Sequence, residues 1–152
     1  MRISRVAVLA LAAVVVAALV AFLWPRDAGL AFGQPGDPAE PARLVEIELR
    51  EKPDGRMNFI PDVVQVRRGE QIRLIVRNEG ESSHHVVVAT AQDNLQRIRN
   101  PGAARAEPNG IRVAPGQRGE ILWRFTNAGD FDFSAVDPGH REAGLQGRII
   151  VR

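Results

Sequence analysis

An all-β sandwich is the fold class this sequence predicts, and three observations predict it. Apolar and polar residues alternate in segment after segment, as in Val45, Ile47 and Leu49 against Glu46, Glu48 and Arg50. That period of two puts one face of a strand in a core and the other in water. Turn residues punctuate these segments about every 8 to 12 residues, a spacing that belongs to sandwiches and barrels. Finally, between residue 44 and Arg152 residues 93–109 are the one long irregular stretch, and there Leu95 and Ile98 are spaced to allow a short helical turn.

Taken in order, the chain opens with Arg2 and Arg5, followed by an uninterrupted apolar run over 6–24 that ends at Pro25-Arg26-Asp27. A helix needs roughly 20 apolar residues to cross the hydrocarbon core of a bilayer. The length fits a retained anchor, and the small residues around Gly29-Leu30-Ala31 equally allow a cleaved signal. Both alternatives keep the arginines inside, place Trp24 at the outer boundary and export everything after it. Residues 1–26 are thus read as anchor or signal. Residues 27–41, rich in Gly and Pro without apolar period, are read as an extended, mobile linker, and 42–152 as the domain.

Within the domain, strands are expected over 44–50, from Phe59, over 63–67, 71–77, 84–91, 111–113, 120–126, 131–135 and 148–152. Each shows the same logic: Ile72, Leu74 and Val76 face inward while Arg73 and Arg77 face water, and Ile121, Trp123 and Phe125 repeat the pattern. Clean alternation of this kind indicates antiparallel sheets with one wet face.

Composition narrows the function. Lys+Arg 20 against Asp+Glu 18 leaves a formal charge of only +2, and no basic cluster is interleaved with aromatics, so nucleic acid is not a partner. Cysteine is absent, which removes disulfides, thiolate metal sites and cysteine nucleophiles. No nucleophile elbow, zincin helix, phosphate loop or dinucleotide fingerprint occurs, so the chain is not read as an enzyme.

The most informative stretch is Phe131-Asp132-Phe133-Ser134-Ala135-Val136-Asp137-Pro138-Gly139-His140, continued by Gly144-Leu145-Gln146-Gly147. It resembles the C-terminal copper loop of the cupredoxins, the plastocyanin and azurin group, in which a strand ends in Cys-x-x-Pro-Gly-His and Met follows. Asn78-x-Gly80 ahead of His84 resembles the family's lead-in to its upstream His ligand, and Glu107-Pro108-Asn109 resembles the membrane-associated, copper-oxidase-like branch. The resemblance implies a Greek-key sandwich. It assigns His84 and His140 to the two His slots, with Ala135 standing where the Cys ligand belongs and Leu145 where Met belongs. The blue-copper site is therefore degenerate. Ala103, Ala104 and Arg105 stand where some relatives carry a second copper motif.

Two functions follow from the resemblance. The main expectation is a non-redox accessory subunit without cofactor, held by residues 6–24 at the periplasmic face of a bacterial membrane. It would dock on a larger respiratory or photosynthetic electron-transfer complex through the His140 loop, with Val136, Pro138, His140 and Leu145 as an apolar centre rimmed by Asp137, Arg141 and Glu142. The alternative is a copper-binding protein that uses His84 and His140 as a two-imidazole site of low affinity. His85 points away from His84 by alternation and is expected at the surface.

Overall fold

The computed structural model of the chain describes residues 30–101 and 107–152. In chain order these form β1 (Gln34–Pro35), β2 (Arg43–Glu51), β3 (Met57–Ile60), β4 (Val63–Val66), β5 (Gln71–Asn78), β6 (His84–Ala89), helix α1 (Ala91–Arg99), β7 (Gly110–Val113), β8 (Arg118–Arg124), β9 (Gly129–Ala135) and β10 (Gln146–Val151). The strands make two five-stranded sheets, ordered β1-β8-β5-β2-β3 and β4-β10-β9-β6-β7. The all-β architecture expected from the alternation is present.

The inward residues are those the period of two selects. Val45, Ile47 and Leu49 from β2 meet Ile72, Leu74 and Val76 from β5 and Ile121 and Trp123 from β8. Facing them are Val64, Val66, Val86, Val88, Phe131, Phe133, Ile149 and Val151 of the other sheet, all in one buried cluster. At roughly 1.5 to 3 kcal/mol per fully buried large side chain, this cluster is the main source of stability.

Three local features differ from the expectation. Pairing is not antiparallel throughout, since β2 with β5 and β4 with β10 run parallel. The chain leaves its first sheet after β3, contributes β4 to the second, and returns as β5 in the direction of β2. Alternation reports which face is buried and is blind to that direction. The segment 93–109 begins with a full helix rather than one turn. Thr90 caps α1 by accepting from the Asp93 N–H at 3.1 Å, and Arg97 and Arg99 sit at the negative end of the helix, so both termini are satisfied locally.

The third difference concerns the linker. From Leu30 on it is built into the domain: β1 pairs with β8, and Phe32 is 1% exposed, stacked on Trp123 with ring centroids 5.1 Å apart. An aromatic residue that buries itself in the core outweighs the Gly/Pro composition around it. The apolar run 6–24 and residues 103–105 lie outside the described residues. Among the described residues, no helix is long and apolar enough to cross a membrane.

Candidate metal centre

One end of the sandwich gathers the residues singled out in the sequence. His84 opens β6 on the face that continues with Val86 and Val88, and is fully buried. The turn before it is shaped by Asn78, also buried. Its side-chain amide donates to the Ser82 carbonyl at 2.7 Å and the Val113 carbonyl at 3.0 Å, and its carbonyl oxygen accepts from the Gly80 N–H at 2.9 Å. Here lies the physical reason for an Asn-x-Gly ahead of the histidine: one amide satisfies three backbone groups that a buried turn would otherwise leave unpaired.

His140 arrives from the other side, on the loop between β9 and β10. Gly139 turns with φ +82°. The loop is then tied by Leu145 N–H to the His140 carbonyl and Ala135 N–H to the Leu145 carbonyl, both 3.0 Å. Arg141 anchors it from below by donating to the buried Asp132 carboxylate and to Ser134 Oγ. Gly144 passes so close to β3 that a Cβ there would stand 2.2 Å from the Met57 carbonyl oxygen.

The structure brings the two histidines together. Nδ1 of His84 lies 2.9 Å from Nδ1 of His140, with ring centroids 4.7 Å apart. On its far side, Nε2 of His84 is 2.9 Å from Glu51 Oε1. Burial pushes His84 below its ordinary pKa, and the pull of Glu51 in the other direction does not overcome it. A neutral His84 therefore donates its Nε2–H to Glu51 and keeps a lone pair on Nδ1, to which His140 donates its own Nδ1–H. Burial pushes Glu51 upward, but its hydrogen bonds from His84 and from the backbone N–H groups of Ser82 and Glu81 together hold it below the usual carboxylate range. Glu51 is packed tightly, since a Cβ on Gly80 would stand 2.6 Å from its carboxyl carbon.

Asp137 completes the cluster. Its Oδ2 accepts from the His85 N–H at 2.6 Å and lies 3.8 Å from His140 Nδ1, while Oδ1 receives both Arg112 Nη groups at 3.2 Å. One ligand atom from each of His84, Asp137 and His140 falls within 4.8 Å of the others.

The donors fit a metal ion of the kind imidazole prefers. Two nitrogens about 2.0 Å from one ion must lie within about 4 Å of each other, and 2.9 Å meets this. They do not fit a blue-copper centre: Ala135 and Leu145 are both 0% exposed hydrocarbon, offering neither thiolate nor thioether.

The docking patch expected at this loop is not apolar at its surface. Val136 is 8% exposed and Leu145 is fully buried, because the loop folds back and turns both inward; Pro138 is exposed and His140 half-buried. Nor is His85 a free surface histidine. It is half-buried, and burial together with the nearby Arg112 charge pushes its pKa down. Two residues beside the histidines were not singled out as site residues in the sequence. Glu51 follows Leu49 by two positions and so shares its inward face, an acidic residue at a core-facing position. Asp137 had been assigned to a solvent rim.

Comparison with known proteins agrees with the fold and points to copper. The family model for copper binding proteins of the plastocyanin/azurin family matches residues 46–152. The chain is 39% identical over 131 residues to the copper-resistant cuproprotein CopI of Rubrivivax gelatinosus, covering 84% of this chain and 77% of that protein. It is 27% identical to the CopI of Pseudomonas aeruginosa, covering 82% and 84%. Among solved structures, auracyanin B superposes with a TM-score of 0.61 at 20% identity, over 80% of this chain and 96% of that one. The expectation of a protein without cofactor is overturned by the family match and the CopI relatives, which both name copper.

Proposed function

Because the chain belongs to the plastocyanin/azurin family of copper-binding proteins, we propose that it is a copper-handling protein that holds the ion through His84 and His140 without acting as a blue-copper electron carrier. The observation that carries this reading is the facing pair of Nδ1 atoms, 2.9 Å apart. Imidazole nitrogen suits copper, and Glu51 fixes the ring of His84 in the tautomer that presents a lone pair, the orienting role that outer carboxylates play for metal-bound histidine. Similarity to proteins named as copper-resistant cuproproteins supports copper as cargo.

The accessory-subunit reading lacks a comparable observation, since the residues meant to form its apolar centre are buried. Export is part of the proposal and rests on Arg2, Arg5 and the apolar run 6–24, which together put the domain on the outer, periplasmic side. No reaction is assigned to the site: copper would be bound and released.

Titration of the purified chain with Cu(II) tests the reading. One ion per chain should bind, with only faint colour, because no sulfur-to-copper charge transfer is available. His140→Ala and His84→Gln should each weaken binding by about tenfold or more. Unchanged affinity in both variants, with the fold intact by circular dichroism, would remove the site.

A further inference from the structure

We infer that Asp137 is the third donor of this site, so that a two-imidazole, one-carboxylate centre for Cu(II) has taken the place of the soft thiolate centre. The inference rests on the copper reading above and specifies which oxidation state the site serves. It begins with a count of lone pairs. An ionised carboxylate offers about four acceptor positions. Arg112 uses Oδ1 through two N–H groups, and the His85 N–H uses one position on Oδ2. One position on Oδ2 is left, and Oδ2 is the oxygen that lies 3.8 Å from His140 Nδ1.

That separation is too long for a hydrogen bond, so the His140 ring does not hold the Asp137 carboxylate in place; the two residues are joined only through the His140 N–H and the Asp137 backbone carbonyl, 3.2 Å apart. Asp137 is positioned instead by β6, through the His85 backbone, and by Arg112 on β7. Its carboxylate therefore stands beside the histidine pair independently of whether His140 is engaged. Nor does the turn account for it: Pro138 and Gly139 already shape the loop, and the resemblance to the family placed no donor at this position.

Charge gives the second argument. In a blue-copper site the thiolate supplies a negative charge next to the ion; here Ala135 supplies none. Two neutral imidazoles alone would leave a divalent ion largely uncompensated in a site where His84 is fully buried, and an uncompensated charge in such surroundings is costly. Glu51 supplies a negative charge only behind the ring of His84; Asp137 is the carboxylate on the donor side of the pair, with Oδ2 toward the site while Oδ1 is turned to the exposed Arg112. Carboxylate oxygen is a hard donor, whereas Cu(I) selects thiolate and thioether, and this chain has replaced both with Ala135 and Leu145. The set now present discriminates in favour of Cu(II).

The test uses the purified full chain, titrated with Cu(II) in competition with a chromogenic chelator, and with Cu(I) under anaerobic reducing conditions against a Cu(I) chelator. Asp137→Asn keeps an oxygen to accept the His85 N–H; it should lower Cu(II) affinity about tenfold or more, leave Cu(I) affinity within about threefold, and shift the Cu(II) electron paramagnetic resonance spectrum. Glu142→Gln, which removes a neighbouring exposed charge, should change neither affinity nor spectrum. If Asp137→Asn does not fold, Asp137→Ser is read in the same way. Equal losses in the Asp137 and Glu142 variants, or Cu(II) affinity and spectrum unchanged in Asp137→Asn, overturn the third donor while the two-histidine site stands. Full Cu(II) binding by His84→Gln and His140→Ala overturns the reading beneath it.

Discussion

Replacing Arg141 by Ala tests whether the His140 loop is held by the protein rather than by a metal. The Arg141 side chain is 15% exposed and that of its partner Asp132 is 7% exposed. Asp132 Oδ2 also accepts from Ser134 Oγ at 3.0 Å and from Asn94 Nδ2 at 3.3 Å. Removing Arg141 leaves that carboxylate in the same buried place with two neutral donors and no counter-charge. Breaking a buried pair by deleting one partner costs about 3 to 5 kcal/mol; water that enters where the arginine stood puts the expected loss near the lower figure. For a domain of this size, about 3 kcal/mol corresponds to a melting temperature lower by about 10 to 15 °C. Urea unfolding followed by the fluorescence of the buried Trp123 measures it. The double variant Arg141→Met, Asp132→Leu removes both charges and should recover most of the loss, as apolar replacements of buried pairs do. A loss below about 1 kcal/mol in Arg141→Ala, far under the range for a broken buried pair, would refute the reasoning and mean that the loop draws its position from elsewhere. Copper affinity should fall in the single variant although both histidines are intact, because His140 is the residue next to the anchor.

Three further outcomes are expected. Ala135→Cys with Leu145→Met should convert the site to an intensely coloured, redox-active copper centre; the Leu-to-Met exchange conserves volume and costs less than about 1.5 kcal/mol, and a colourless copper-loaded variant would show that the loop frame differs from the family's. Stability should decline on acidification: His84 and His85 lie below their ordinary value of 6.5 in the folded state, so the unfolded chain takes up protons first and the loss begins below pH 6.5. Glu70, held down by Arg43, and Glu51 lie below 4.5 and add a second loss below that pH; a urea midpoint that stays level or rises from pH 6.5 to 4.5 would contradict the assignment. Phe32→Ala should destabilise by about 3 to 5 kcal/mol, whereas a free linker would show no effect in the same denaturation curves.

The fold was legible because most strands carry one wet face, β6 and β9 excepted, so that Val45, Ile47 and Leu49 could be read inward without knowledge of their partners. The histidine pair was legible through the spacing of two loops, Asn78 to His84 and Pro138 to His140. Glu51 was not, because the expected strand stopped at Arg50, one residue short of the acidic side chain on the buried face. Whether Leu145 and Val136 point to water or to the core depends on a loop that closes on itself through backbone bonds, and an apolar residue in a turn reads the same in either case. Phe32 shows the opposite limit. Its neighbours say linker, and only the space beside Trp123 says otherwise.

The same hydrogen bonds also bear on why such a site suits handling rather than permanent retention. Among the described residues, the buried side-chain atoms without a partner are Asn58 Oδ1, Asn94 Oδ1 and Trp123 Nε1; no histidine nitrogen is among them. His84 Nε2–H rests on Glu51 and the two Nδ1 atoms share one proton. An ion that leaves therefore exposes no buried orphan whose unmade hydrogen bond would cost about 1 to 3 kcal/mol. An ion held at this pair would need the Nδ1 lone pair of His140, so that ring would carry its proton on Nε2, while His84 would keep the tautomer Glu51 has already selected. Glu51 thus presets the ring of His84, and Ala135 and Leu145, both buried, fill the volume that sulfur donors would have claimed. An electron carrier of the blue-copper kind needs the soft, covalent path of a thiolate, which Ala135 does not supply; a histidine pair whose hydrogen bonds are already met by Glu51 and by each other favours the proposed reading of copper handling.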